Sequence, residues 1–298
     1  MTLEQLRIFV VVAEREHVTN AAADLRLTQS AVSAAIAALE ARYDTKLFDR
    51  VGRRIALSEA GQIFLDEARA VLARAAAAES VLVDIAGLKR GRLALAASQT
   101  VGSYWLPPLV HRFSTEYPGV AMTMRIANTA EVAAIVHDGA ADIGVVEGEV
   151  DDPTLSAVAV AEDEMTLVVG PRHPWADGRA VEPGDIGSTR WVLRERGSGT
   201  RAVLEAVAAQ AGLGVDDLDV TIELESNEAV RSAVEAGAGA AVMSRIVAAP
   251  SLASGALVQV AMPLPKRRFT ALRHKSRHTT KAATAFLAMI GADVGSRR

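Results

Sequence analysis

Cysteine is absent from all 298 residues. That excludes disulfides, thiolate metal sites and cysteine nucleophiles, and it fits a reducing, cytoplasmic setting. A long uninterrupted apolar run is missing as well. The alanine-rich stretch from Ala68 to Ala86 is broken by Arg69, Arg74, Glu79 and Asp84, so no segment reads as a bilayer span and no membrane partner is expected. The opening residues Met1-Thr2-Leu3-Glu4-Gln5-Leu6-Arg7 lack a basic region followed by an apolar run and a small-residue cleavage site, so no secretory signal is read. Nor is there an excess of positive charge. Lys and Arg number 32 against 36 Asp and Glu, for a formal net charge of −4. Any contact with a polyanion must therefore come from a local patch.

What is present is a chain that is 50% hydrophobic, enough for more than one core, with a length that favours about two domains of roughly 150 residues. Leu6, Phe9, Val10 and Ala13 recur at helical spacing, so Glu4 to about Arg15 is an amphipathic helix. Thr19 is read as the N-cap of a short helix over Asn20 to Leu25, and Thr28 as the N-cap of a third helix whose Val32, Ile36 and Leu39 share a face. Only Arg26 and Leu27 separate the second helix from that cap, a connection tight enough to force a steep crossing, as in a helix-turn-helix. Leu47 to Arg50 and Arg54 to Leu57 flank Val51-Gly52-Arg53 as a short hairpin, a wing. Ser58 then caps a long helix from about Glu59 to Ile85, with a stripe of Phe64, Ala68, Val71, Leu72, Ala75, Leu82 and Val83. From Gly91 onward short strands alternate with helices, an α/β pattern with mostly parallel sheets.

The third helix turns Gln29, Ser30, Ser33, Ala34 and Ala37 away from its core face. A helix of this size fits the DNA major groove, with its N-terminal residues, Thr28 included, nearest the base edges. Gln29 can pair with adenine and Ser33 can serve several bases. Arg42, Lys46, Arg50, Arg53 and Arg54 form a basic cluster opposed only by Asp44 and Asp49, suited to phosphates and, from the hairpin, to a minor groove. Three small helices with polar outer faces also occur in domains that never touch DNA. The combination of helix-turn-helix, basic wing and appended long helix favours the DNA reading.

At this point the sequence closely resembles the LysR-type transcriptional regulators. The matching residues are Leu3, Leu6, Phe9, Ala21-Ala22, Leu25, Ser30-Ala31-Val32-Ser33, Ile36, Leu39-Glu40, Leu47-Phe48, Arg50, Gly52-Arg53, Leu57 and Ala60-Gly61. They lie in the family's order and spacing. One departure is Ala34-Ala35, where many members carry a long polar pair. Base readout should lean instead on Gln29, Ser30, Ser33 and the wing. The resemblance implies a cytoplasmic regulator that binds a promoter inverted repeat in double-stranded DNA. It implies self-association as a homodimer or homotetramer, partly through the long helix, with RNA polymerase as a further candidate partner. It also implies a periplasmic-binding-protein-like effector domain of two lobes. The expected layout is residues 1–58 for the winged helix-turn-helix, 59–90 for the linker helix and 91–298 for the effector domain. Lobe one takes 91–161 and 267–298, and lobe two takes 162–266.

Ligands in such folds sit between the lobes, and donor-rich helix starts mark candidates for that cleft. Ser98-Gln99-Thr100 joins a strand to a helix, with hydroxyls and backbone N–H groups for an oxygen-rich ligand. Asn128-Thr129 is a second such pair. Arg194-Glu195-Arg196-Gly197-Ser198-Gly199-Thr200-Arg201 is a third, offering guanidinium groups and glycines for close backbone approach. Glu147 closes the cleft or orients an arginine. Each feature has a plain structural alternative as a cap, a turn or a paired surface charge. The loop around Ser198 and the Ser98 start resemble those of family members that sense small anions, such as regulators of sulfur assimilation and carbon fixation. A small oxyanion or carboxylate is therefore the expected effector. The effector candidates are Ser98, Thr100, Asn128, Thr129, Glu147, Arg194, Arg196, Ser198 and Thr200.

His274 and His278 lie in a basic run from Lys266 to Lys281 that contains no acid. With no third ligand evident, no metal and no cofactor are expected, and the run reads as a solvated strand edge or a subunit contact. No nucleophile–base–acid set stands out, and Ser198 is not in a Gly-x-Ser-x-Gly elbow. The competing reading is a two-lobed small-molecule-binding protein or enzyme whose N-terminal helices are only an interaction module.

Overall fold

The computed structural model describes residues 1–51, 54–85 and 91–296, with the backbone alone for residues 51, 54, 77, 80, 81, 83–85 and 292–296. It separates into two compact units, one built on Met1–Leu82 and the other on Val83–His137 and Ala141–Arg298.

In the first unit α1 (Leu3–Arg15), α2 (Val18–Leu25) and α3 (Gln29–Tyr43) precede the hairpin β1 (Phe48–Val51) and β2 (Arg54–Leu57) and the long α4 (Glu59–Ile85). Thr2 and Gln5 form a capping box at the start of α1, so each satisfies a backbone N–H that the helix leaves open. α2 starts one residue before Thr19, capped by the His17 ring accepting from the Asn20 N–H rather than by Thr19. Arg26, at φ 56°, turns the chain through the left-handed region, and Thr28 caps α3 by accepting from the Ala31 N–H at 3.2 Å. Leu6, Phe9, Leu39, Leu47 and Ala68 form one core, and Ile8, Val12, Ala21, Ala22 and Val32 another. Phe9 stacks on both Phe48 and Phe64, which ties α1 to the wing and to α4. Gly61 is required there, because a Cβ would meet the Leu47 carbonyl oxygen at 2.1 Å.

The second unit has two lobes. Lobe one is a five-stranded sheet ordered β4-β3-β5-β12-β6, made of β3 (Gly91–Ser98), β4 (Val120–Ala127), β5 (Ile143–Glu147), β6 (Leu155–Asp163) and β12 (Arg267–His274). A π-turn at Val101–Trp105 followed by α5 (Leu106–Glu116), then α6 (Thr129–Asp138) and α10 (Lys281–Ser296), belong with it. β3 runs parallel to β4 and β5, whereas β12 is antiparallel to β5 and β6. The sheet is therefore mixed rather than mostly parallel. The basic run is not a solvated edge: β12 is a central strand, with Arg267, Phe269, Ala271 and Leu272 buried. Its cationic look misled because Arg267 is buried with a carboxylate partner.

Lobe two is entered across Glu164. β7 (Met165–Val169) pairs antiparallel with β10 (Ala241–Ser244) and β11 (Val258–Val260). β8 (Arg190–Arg194) and β9 (Asp219–Leu224) form a parallel pair, joined to this sheet by a bridge from Trp191 to Ala240. α7 (Gly199–Gln210), α8 (Asn227–Glu235) and α9 (Arg245–Ser254) complete the lobe. Its core gathers Trp175, Trp191, Leu167, Val169 and Leu204. The buried Trp191 ring donates to the Ile186 carbonyl at 2.8 Å, which removes the cost of an unpaired indole N–H.

Candidate DNA interface and interlobe site

At the start of α3, Gln29, Ser30, Ser33, Ala34 and Ala37 are all exposed. Thr28 is committed to its cap and lies 3.1 Å from the Ser30 hydroxyl. Among the described residues no hydrogen bond holds the Gln29 or Ser33 side chain, so both are free to meet another molecule. Behind this face Glu40 pins the wing. Its carboxylate accepts from the backbone N–H groups of Leu47 at 2.8 Å and Phe48 at 3.3 Å, and from Lys46 at 2.8 Å. Burial raises the Glu40 pKa, but Lys46 and the two backbone donors outweigh it and hold the group below its ordinary value. Lys46 is thus tied to Glu40. Arg50 stands exposed on β1. Arg53 and the Arg54 side chain lie outside the described residues.

In the effector unit, four helix starts from two lobes meet around the end of β5. Glu147, 1% exposed, accepts from the Ser98 hydroxyl at 2.5 Å on one oxygen and from Thr100 at 3.0 Å on the other. Thr129 donates to the Glu147 backbone oxygen at 2.9 Å. The start of α7, from lobe two, lies directly against this strand end. A Cβ at Gly199 would sit 2.1 Å from the Glu147 carbonyl oxygen, so only glycine permits the approach. Gly197, at φ +86°, accepts through its carbonyl from the Ala130 N–H of lobe one. Ser198 caps α7 by accepting from the Thr200 N–H, and Asn128 caps α6 through Glu131.

Four residues that the sequence does not mark as site candidates, Arg267, Asp163, Ser244 and Asn227, complete the network. Arg267 donates to Asp163 from two of its nitrogens and to the Thr200 hydroxyl at 3.0 Å, and it stands 3.8 Å from Glu147. Asp163 also accepts from Ser244 at 2.5 Å. Asn227 donates to Thr100 at 3.0 Å across the lobes, and Gln99 bridges the same gap to the Glu225 carbonyl and the Asn227 N–H. Asn227 had a signal, since Ser226-Asn227 is a fourth polar pair before a helix. Arg267 and Asp163 had none, being partners 104 residues apart.

The structure brings Ser98, Thr100, Thr129, Glu147, Ser198 and Thr200 together and separates the two arginines from that set. Arg194 is buried with its guanidinium forked onto Glu195 and bonded to Asn227, so it positions α8 and leaves no charge for a ligand. Arg196 is corrected outright. Its side chain is 79% exposed and lies 3.7 Å from Asp216, which is more open still, so it stands outside the buried cluster.

These two units match known families. Residues 3–62 fit the bacterial regulatory helix-turn-helix protein model of the lysR family, and residues 86–294 fit the LysR substrate binding domain. The chain belongs to the LysR family of transcription regulators. Among its LysR relatives are the uncharacterized HTH-type transcriptional regulator YeiE of Escherichia coli K12, 33% identical over 96% of both chains, and a probable RuBisCO transcriptional regulator of Cyanidioschyzon merolae, 34% identical over 96% of both. Among solved structures, full-length CbnR in complex with its target DNA superposes with a TM-score of 0.68, covering 99% of each chain at 22% identity. As a LysR regulator the chain is a DNA-binding protein with an effector-binding domain, and it is not an enzyme. No helix among the described residues is long and apolar enough to cross a membrane.

Proposed function

We propose that this LysR regulator acts in the cytoplasm as a homodimer or homotetramer that reads a promoter inverted repeat and is controlled by a small oxyanion or carboxylate held between its lobes. Gln29, Ser30 and Ser33 meet base edges, Thr28 orients that helix start, and Arg50, Arg53 and Arg54 take phosphates or a minor groove. The long α4 supplies the self-association surface: Ile63, Val71 and Leu82 remain 69%, 41% and 70% exposed, apolar side chains that their own unit leaves uncovered.

The observation that carries the effector reading is the convergence on Glu147 of hydroxyl residues and helix starts from both lobes. A ligand there touches lobe one through Ser98 and Thr100 and lobe two through Thr200, so it favours one lobe arrangement over another. That differential affinity is what a switch requires. The reader's spacing on DNA then follows the oligomer.

The test is a thermal-shift panel of small anions on the full chain, since a ligand of the folded state stabilises by mass action, followed by DNA-binding titrations with any hit. A Ser98→Ala, Thr200→Val double variant should lose the ligand response and keep its DNA affinity. Equal loss of DNA affinity would refute the site assignment.

A further inference from the structure

Glu147 is an odd choice for the centre of an anion site. A buried carboxylate repels an incoming anion and needs strong compensation for its own lost hydration. It receives little. Each oxygen accepts a single hydroxyl hydrogen bond, from Ser98 and from Thr100. The cation within reach, Arg267, keeps two nitrogens on Asp163 and stands 3.8 Å away. A carboxylate offers about four lone-pair positions, so Glu147 retains acceptor capacity in a place where water is scarce.

The hydroxyls around it are polarised in a definite sense. Ser98 donates its hydrogen to Glu147, which leaves only lone pairs to face a ligand. Thr100 donates to Glu147 and accepts from Asn227, so its single hydrogen is committed. Thr200 accepts from Arg267, which leaves its own hydrogen free to donate. The side chains therefore present acceptors at Glu147 and Ser98 beside a donor at Thr200. A fully deprotonated oxyanion satisfies only the donor and opposes the acceptors. A ligand that carries an O–H next to its anionic oxygens satisfies both.

We propose that Glu147 is a specificity-determining residue that selects, among small oxyanions, those that bring an O–H of their own, either as a retained acid proton or as a neighbouring hydroxyl. This rests on the reading of the cleft as a small-oxyanion site. The O–H donates to a Glu147 oxygen, the anionic oxygens take Thr200 and the backbone N–H groups of the helix starts, and no net charge needs to be supplied by an arginine. Sulfate and acetate lack the donor. Phosphate near neutral pH and glycolate have it.

The experiment is calorimetric titration of the full-length protein with inorganic phosphate, sulfate, glycolate and acetate. Wild type should favour the O–H-bearing member of at least one pair by about 10- to 100-fold, the range expected for one hydrogen bond to a charged group. The phosphate–sulfate pair reports an acid proton and the glycolate–acetate pair a hydroxyl. Glu147→Gln, whose amide can donate, should reduce that preference to roughly twofold or less. Thr200→Val should weaken both members alike, placing the signal in the cleft rather than on the basic DNA-facing surface. If Glu147→Gln does not fold, the wild-type preference within each pair decides the question alone. Equal affinities within both pairs, or an unchanged preference in Glu147→Gln, overturn the inference and leave the oxyanion reading standing. Binding unaffected by Thr200→Val overturns the site, and no binding of any of the four overturns both readings.

Discussion

The starts of α3 and α7 are chemically alike. Each is a helix N-terminus capped by a hydroxyl residue, Thr28 in one and Ser198 in the other, and each is followed by small polar side chains. Their surroundings are opposite. At α3, Gln29, Ser30 and Ser33 face outward, and Gln29 and Ser33 have no partner among the described residues. At α7, Ser198, Thr200 and Arg201 are buried and bonded to residues from β8, β9 and β12. The same local motif becomes a reading head where it is left uncovered. It becomes part of a two-lobe lock where other chain segments close over it.

The sharpest way to break that contrast is at Arg267. Arg267→Ala leaves Asp163, 8% exposed, without its guanidinium, and removing one member of a buried pair costs about 3–5 kcal/mol. Chemical denaturation of the second unit should show that loss. A change under 1 kcal/mol would mean that water replaces the guanidinium and the lock is not closed. In the first unit Gln29→Ala should leave stability untouched, because no hydrogen bond among the described residues holds that side chain. It should weaken binding at the preferred DNA site by roughly 1–3 kcal/mol while affecting random DNA little. Equal loss on both DNAs would make Gln29 a phosphate contact. Glu40→Gln should fall below that, about 1 kcal/mol of N-terminal stability, since the two backbone donors share one Glu40 oxygen, which the amide oxygen can replace, while the ion pair with Lys46 on the other oxygen is lost. Because the folded Glu40 pKa lies below its unfolded value, its contribution is present above the unfolded pKa and fades as pH falls through the folded one. A wild-type N-terminal unit indifferent to acid would contradict this.

The smallest effect expected is at His173 in lobe two. Burial first, and Arg179 second, push its pKa below the ordinary 6.5. Its ring accepts from the Trp175 N–H and meets Thr189. Protonation is therefore easier in the unfolded chain. The His173 contribution is whole above about pH 6.5 and declines as pH drops. A His173→Gln variant should flatten that slope in an acid melt series, and an unchanged slope would assign it to other groups.

The same contrast explains what could be read from the chain. α3 and its cap, the wing strands, β8 and the long α4 follow local rules: a hydroxyl before an apolar period, alternation, a glycine in a turn. Lobe one escaped such rules at β6 and β12. In β12 the visible pattern is Arg267, Arg268, Arg273 and His274, which reads as solvated until Asp163 is known to lie opposite Arg267 in the register. In β6 most side chains are half-buried or exposed, Val158 at 58%, so apolar alternation is weak. Of the site, the helix starts at Ser98, Asn128 and Ser198 were legible because caps are local. Arg267 and Asp163 were not, because their meaning exists only in the pairing. Arg196 misled for the converse reason, since nothing local says which way a side chain next to a left-handed glycine will face.

The position of β12 also sets an order of events during synthesis. It lies between β5 and β6, and among the described residues β6 has no other strand partner. Until the ribosome has released residues through His274, β6 has no neighbour and β5 carries an open edge. Lobe two, by contrast, runs without interruption from Met165 to Val260. It can close while the first lobe waits with strand edges unpaired, the condition most prone to wrong pairing. For this regulator, the vulnerable species in a cell is thus the nascent chain that has not yet released β12, with its reader already out and its sensor half built.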